Sequence, residues 1–137
     1  MWTLVDVEQA VRASWGADTC DPADRADWHP GNPARGQCGV TALVLHDMFG
    51  GELVLGEVRV AGERTGSHYW NRFGTGLEVD LTRGQFRQDE DVVGAQVVQR
   101  PSGPPKRCRE EYDLLRARVS AHLTAAPTTS PAAAPAP

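Results

Sequence analysis

Of the three cysteines in this sequence, Cys20, Cys38 and Cys108, one stands where a thiol can be made to react. Cys38 closes the run Asn32-Pro33-Ala34-Arg35-Gly36-Gln37 and opens an apolar stretch containing Val40, Leu43, Val44 and Met48. That is the junction of a loop and a helix. The first N–H groups of a helix have no partner inside it and carry positive partial charge, so they favour a thiolate over a thiol. The same groups can stabilise an oxyanion that forms beside the sulfur. Gly36 and Gly39 present no side chain to an approaching carbonyl carbon. Asn32, six positions earlier, and Gln37, next to the cysteine, are candidate side-chain donors to that oxyanion. Alone, Cys38 reads better as a small residue buried at a helix start, since free cysteine is among the most buried residue types.

A thiol nucleophile needs a base, and a base needs an orienting group. His68-Tyr69-Trp70-Asn71 opens one short run of strand-forming residues, and Leu77-Glu78-Val79-Asp80-Leu81 is another. Gly74-Thr75-Gly76 between them marks a hairpin. Side chains alternate across a strand, so loop length decides whether His68 and Asp80 meet. With Gly74-Thr75-Gly76 as the loop, Phe73 faces Leu77, and Asp80 stands across from Trp70 and diagonal to His68. With Phe73-Gly74-Thr75 as the loop, His68 and Asp80 are directly opposite. A two-residue loop would part them across the sheet. In either odd register the imidazole can hold the thiol proton and return it to a leaving group, with Asp80 fixing its tautomer. Such a histidine is expected at a cleft edge, with little packing. Trp28, Trp70 and Asn71 are the candidates to line the substrate cleft.

Cysteine at a helix start, histidine on a strand and carboxylate on the next strand follow the chain order of papain-like and transglutaminase-like cysteine enzymes. The His68-Tyr69-Trp70 segment, the glycine turn and Val79-Asp80 resemble the transglutaminase pattern, and Asn32 is placed like the papain family's oxyanion glutamine. A closer resemblance is to the YunG-like family of small bacterial proteins. It rests on Asn32-Pro33-Ala34, Gly36-Gln37-Cys38, Val40-Thr41-Ala42-Leu43-Val44, Phe49-Gly50-Gly51-Glu52, His68-Tyr69-Trp70-Asn71, and Glu78-Val79-Asp80-Leu81-Thr82 followed by Gln85-Phe86. It spans about residues 2–100. It implies no established reaction.

The elements that must position these residues follow from periodicity and punctuation. Leu4, Val7, Val11 and Trp15 give a helix over residues 3–15, with Thr3 as its cap. Residues 18–37 lose all periodicity and carry four aspartates, three prolines and two glycines, which reads as a long loop anchored by Trp28. Residues 38–49 form the helix that carries the cysteine, stopped by Gly50-Gly51. Residues 53–60 form a strand with a bulge or bend at Gly56. The hairpin of 68–73 with 77–81 follows, then a helical turn at 82–86 and a strand over 92–99. A proline-rich surface crossing occupies 100–106, and 107–123 form a last helix with Cys108, Tyr112, Leu115 and Val119 on one face. Arg107, Arg109, Arg116 and Arg118 with Glu110, Glu111 and Asp113 read as the solvated charge pattern of that helix. His46 and His29 are expected at the surface, and Cys20 and Cys108 in packing roles.

These elements predict an α+β fold, papain-like or transglutaminase-like, with the nucleophile helix packed on a small antiparallel sheet. Its single domain covers 1–123, and 124–137, which are Ala, Pro, Thr and Ser only, form a disordered tail. The 137 residues carry 18 acids against 14 bases, a net charge of −4, which argues against a phosphate-backbone binder. No apolar run approaches the ~20 residues of a membrane helix. The N-terminus has early acids and no basic region, so no export signal is expected and a reducing cytoplasm is the default. An odd cysteine count without a CxxC pair argues against a disulfide framework or zinc ribbon. No spacing supports a zinc site built from Cys20, His29, Cys38 and His68.

The expected activity is thiol-dependent hydrolysis or acyl transfer on an amide or thioester, through Cys38, His68 and Asp80. No cofactor or metal is expected. The expected partner is a small-molecule or peptide acyl substrate, with an acyl carrier or an amine as acceptor, and neither nucleic acid nor membrane. The alternative is a papain-like binding module without catalysis, using Trp15, Trp28 and Trp70.

Overall fold

Thr3 begins the first helix in both directions at once. Its hydroxyl accepts from the Asp6 N–H at 3.1 Å, and the Asp6 carboxylate accepts from the Thr3 N–H at 2.9 Å. This capping box satisfies two N–H groups that the helix cannot, and α1 runs Leu4–Ser14 with Val7, Ala10 and Val11 buried. The computed structural model describes residues 2–125. Helix α2 spans Cys38–Phe49, with Gln37 as its N-cap and Gly50 at φ 72° as its stop. Helix α3 spans Arg109–Ala125 and buries Tyr112, Leu115, Val119 and Leu123, one apolar stripe at helical spacing. The three helices share one core, in which Val7, Val11, Val44, Leu45, Leu115 and Val119 are almost fully buried.

Beside them lies a four-stranded antiparallel sheet in the order β3-β2-β1-β4. Its strands are β1 (Glu52–Val60), β2 (Glu63–Phe73), β3 (Leu77–Val79) and β4 (Glu90–Val98). Gly56 is the break expected of it: the pairing of β1 with β4 shifts register between Leu55 and Glu57. A Cβ there would come within 2.8 Å of Val92 and 3.1 Å of the Trp70 ring. Phe73 and Val79 pack on the helical core, and the Asn71 amide donates to the Ala42 carbonyl of α2 at 3.0 Å. The sheet thus meets the cysteine-bearing helix beside the histidine-bearing strand.

Several elements differ from the sequence reading. Strand β2 starts at Glu63, five residues before His68, because Ala61 (φ 52°) and Gly62 (φ 83°) turn the chain tightly back on β1. Strand β3 ends at Val79, leaving Asp80 and Leu81 beyond it, and β4 is shifted toward Glu90. Residues 18–37 are not wholly irregular: 3-10 turns cover Pro22–Asp27 and end at Thr19 after Ala17. Helix α3 starts at Arg109, because Cys108 takes φ 57° and lies outside it. Thr124 and Ala125 belong to α3; the rest of the expected tail lies outside the described residues.

The arginines of the last helix and of its approach do more than decorate the surface. Arg118 grips Asp18 at 2.8 and 2.5 Å, and Arg107 grips Asp21 at 2.6 and 2.7 Å. Glu111 accepts from Arg25 at 3.1 Å. Only Arg109–Asp113 is a pair within the helix. Each exposed pair contributes little, but together they tie the aspartate-rich loop to α3. His46 is likewise not free at the surface, since Arg100 lies 3.0 Å from its Nδ1 and also donates to Asp47.

Gly36 and Gly39 flank the cysteine and make opposite demands. Gly36 has φ 72°, and a Cβ there would fall on the Cys20 sulfur and 2.9 Å from Asp24 Cβ. Gly39 has open space around it. Urea unfolding is expected to show Gly36→Ala losing at least about 2 kcal/mol. Gly39→Ala, in the first turn of α2, is expected to be neutral or to gain up to about 1 kcal/mol.

Candidate functional site

The hairpin register sets the geometry. Phe73 pairs with Leu77, Arg72 with Glu78 and Asn71 with Val79, so Gly74-Thr75-Gly76 is the loop. Gly74 (φ 56°) and Gly76 (φ 122°) supply the positive φ angles that this turn uses. Asp80, one step past β3, then stands diagonal to His68, and the two join: His68 Nε2 lies 2.6 Å from Asp80 Oδ2. The other Asp80 oxygen accepts from the Thr82 hydroxyl at 3.3 Å.

His68 is only 1% exposed. Trp70 stacks on it at 5.5 Å between ring centres, and Phe86 meets it edge-on at 4.7 Å. The imidazole is therefore packed, not perched at a cleft edge as the sequence suggested. Burial pushes its pKa down, but the hydrogen bond to Asp80 and the nearby Cys38 side chain outweigh that and push it up to about 9. The ring is then an imidazolium at neutral pH. With Nε2 committed to Asp80, Nδ1 remains, and it is buried without a formed hydrogen bond. The Cys38 side chain lies close enough to raise the pKa of the ring.

Cys38 is half-buried at the first turn of α2, and it lines a cleft of about 1040 Å³ together with Gly39, Gln85 and Phe86. Burial pushes Cys20 up to about 12 and Cys108 up to about 11, with neighbouring aspartates adding to both. All three are free cysteines.

The remaining residues singled out in the sequence go elsewhere. Gln37 is fully buried; its amide donates to the Gly16 carbonyl at 2.9 Å and its oxygen accepts from Thr19 at 2.8 Å. Asn32 donates to the Gln85 carbonyl at 3.0 Å. Both amides are engaged away from the sulfur, and the backbone N–H groups at the start of α2 have no partner inside the helix. Asn71 is buried against α2, and Trp28, bonded to the Pro33 carbonyl at 3.0 Å, does not line the cleft. Trp70 serves through its stack on His68 and donates to Glu78 at 2.8 Å. Phe86 and Thr82 are the contacts that sequence reasoning did not assign. Their signal was the fixed Thr82-x-x-Gln85-Phe86 spacing after Asp80. Among the described residues, no group of three or more His, Cys, Asp or Glu is arranged to hold a metal ion, and no helix is long and apolar enough to cross a membrane.

Compared with known families, the chain matches the model described as YunG protein over residues 3–124. No curated protein and no solved structure matches the chain. The matched span contains Cys38, His68 and Asp80 as well as all three helices but for the last residue of α3.

The His68–Asp80 bond makes stability depend on pH. A folded pKa near 9 against an ordinary 6.5 means that the folded state holds the proton more tightly. That contribution is complete below pH 6.5 and is lost as pH rises through 9. Urea unfolding of the wild type is expected to lose on the order of 3 kcal/mol across this window. Asp80→Asn is expected to flatten the dependence. A wild-type profile as flat as the variant's would show that the pair is not charged.

Proposed function

Starting from the fact that the chain belongs to the YunG protein family, we propose that it is a thiol-dependent hydrolase or acyl transferase acting on amides or thioesters. Cys38 is the nucleophile, His68 the acid and base, and Asp80 the residue that orients and charges the imidazole. The observation that carries this reading is the 2.6 Å His68–Asp80 hydrogen bond around a buried ring whose other nitrogen is unpartnered beside Cys38. Burying an imidazole with a nitrogen left unbonded costs stability, and such unsatisfied groups gather at functional sites. We read the arrangement as papain-like or transglutaminase-like: the cysteine at a helix N-terminus, the histidine on an antiparallel strand and the aspartate after the next.

The chemistry follows in order. The sulfur attacks the acyl carbon, and the oxyanion forms against the N–H groups at the start of α2. The imidazolium gives its proton to the leaving group, and a thioester remains on Cys38. Water or an amine then attacks that thioester, its proton passing to His68. Thr82 and Phe86 act through their neighbours, holding the Asp80 carboxylate and the ring plane in place.

Iodoacetamide at neutral pH is expected to label Cys38 first, read by peptide mass mapping, because burial holds Cys20 and Cys108 as thiols. Faster labelling of Cys20 would overturn the reading. Against a panel of activated esters and thioesters, Cys38→Ala is expected to be inactive and Asp80→Asn about a hundredfold slower. His68→Ala would open a cavity between Trp70 and Phe86, so His68→Gln is the cleaner variant. It is expected to fold and to lose about a thousandfold in turnover. Turnover that survives Cys38→Ala would leave a binding module as the better account.

A further inference from the structure

The cleft that reaches Cys38 is much larger than a nucleophile alone requires, and its walls are of two kinds. Leu43, Val60, Tyr69, Phe86 and Val98 line it while only half-buried, so their apolar surface is not used up by the core. Most of its arginines are already engaged by acids inside or beside the cleft, and Lys106 is the lining cation without an ion pair among the described residues. Arg35 pairs with Glu90 at 2.8 Å, Arg107 with Asp21 at 2.6 Å, Arg100 with Asp47 at 2.7 Å and Arg87 with Asp27 at 3.3 Å. What the cleft offers a ligand is therefore mainly hydrocarbon and aromatic surface, beginning at the sulfur. Its volume lies just above the usual range for small-molecule sites.

We propose that this cleft is the binding site for an apolar acyl chain whose carbonyl carbon sits at Cys38. The inference rests on Cys38 as the nucleophile. Leu43, Val40 and Ala42 of the same helix lie in the wall of the same cleft, so apolar surface accompanies the sulfur. The acyl carbon bonds to sulfur, its bond to the leaving thiol, alcohol or amine breaks, and the imidazolium proton departs with that group. Water then adds to the thioester, its proton returns to His68, and the carboxylic acid leaves as the sulfur regains its electron pair. A polar or charged acyl group would have to give up hydration against the apolar part of these walls. An acetyl group would leave most of them bare.

The test compares para-nitrophenyl acetate and octanoate on the full chain, reading kcat/KM and acylation of Cys38 by intact mass. Each fully buried methylene is worth roughly fourfold, so even partial burial of six predicts at least a tenfold preference for octanoate. Val98→Glu, in the wall of the cleft, is expected to lower kcat/KM for octanoate at least tenfold more than for acetate. Calorimetry with octanoic acid on Cys38→Ala reads the site without the chemistry, and saturable binding that acetate does not show is expected. Equal rates for the two esters, or no octanoate binding to Cys38→Ala, would overturn the proposal even if Cys38 is acylated. Octanoate binding with no acylation by any ester would instead retain the cleft and overturn the nucleophile.

Discussion

A buried imidazole has two nitrogens, and the protein interior must answer for both. In this fold one is answered by Asp80 at 2.6 Å and the other is not bonded at all. The Asp80 bond constrains much of the surrounding structure. It needs the three-residue loop at Gly74-Thr75-Gly76, because that loop sets the register that puts Asp80 diagonal to His68. It needs β3 to stop at Val79, so that Asp80 is free of the ladder and can accept from Thr82 as well. It needs Trp70 and Phe86 against the ring, since their packing fixes the plane in which Nδ1 is presented.

The cysteine is brought to this pair by a separate set of contacts. Asn71, on the same strand as His68, ties β2 to the Ala42 carbonyl of α2. The approach to α2 is fixed by buried amides. Gln37 bridges Gly16 and Thr19, and Gln85 accepts from the Gly36 N–H at 3.1 Å while donating to the Thr82 carbonyl. The segment after Asp80 therefore holds the loop before Cys38, coupling the two halves of the site through Gln85. Arginines of α3 and its approach hold the outer face of that loop by pairing with Asp18 and Asp21.

What the sequence made legible was local. The start of α2 at Cys38 followed from a glycine-rich loop meeting an apolar period, and its stop from Gly50. The His68–Asp80 register followed from the parity of one glycine turn. What stayed hidden was long-range or lacked a pattern. The first residues of β2, Glu63 to Ser67, are mostly exposed and do not alternate, so only their pairing with β1 makes them a strand. Asn32 and Gln37 looked like oxyanion donors because their spacing to Cys38 was visible and their partners were not. Asn32 bonds a carbonyl 53 residues away, and Gln37 a carbonyl 21 residues back. Arg107 and Arg118 reach acids 86 and 100 residues away, beyond any helix-face reading.

The central claim is that His68 is a charged ring held by Asp80 with its other nitrogen free beside Cys38, and nitrogen NMR of histidine-labelled protein tests it most directly. At pH 7 both ring nitrogens of His68 should be protonated, and alkylating Cys38 should shift the Nδ1 resonance while Nε2 stays bonded to Asp80. A neutral His68 ring that does not respond to modification of Cys38 would contradict the account.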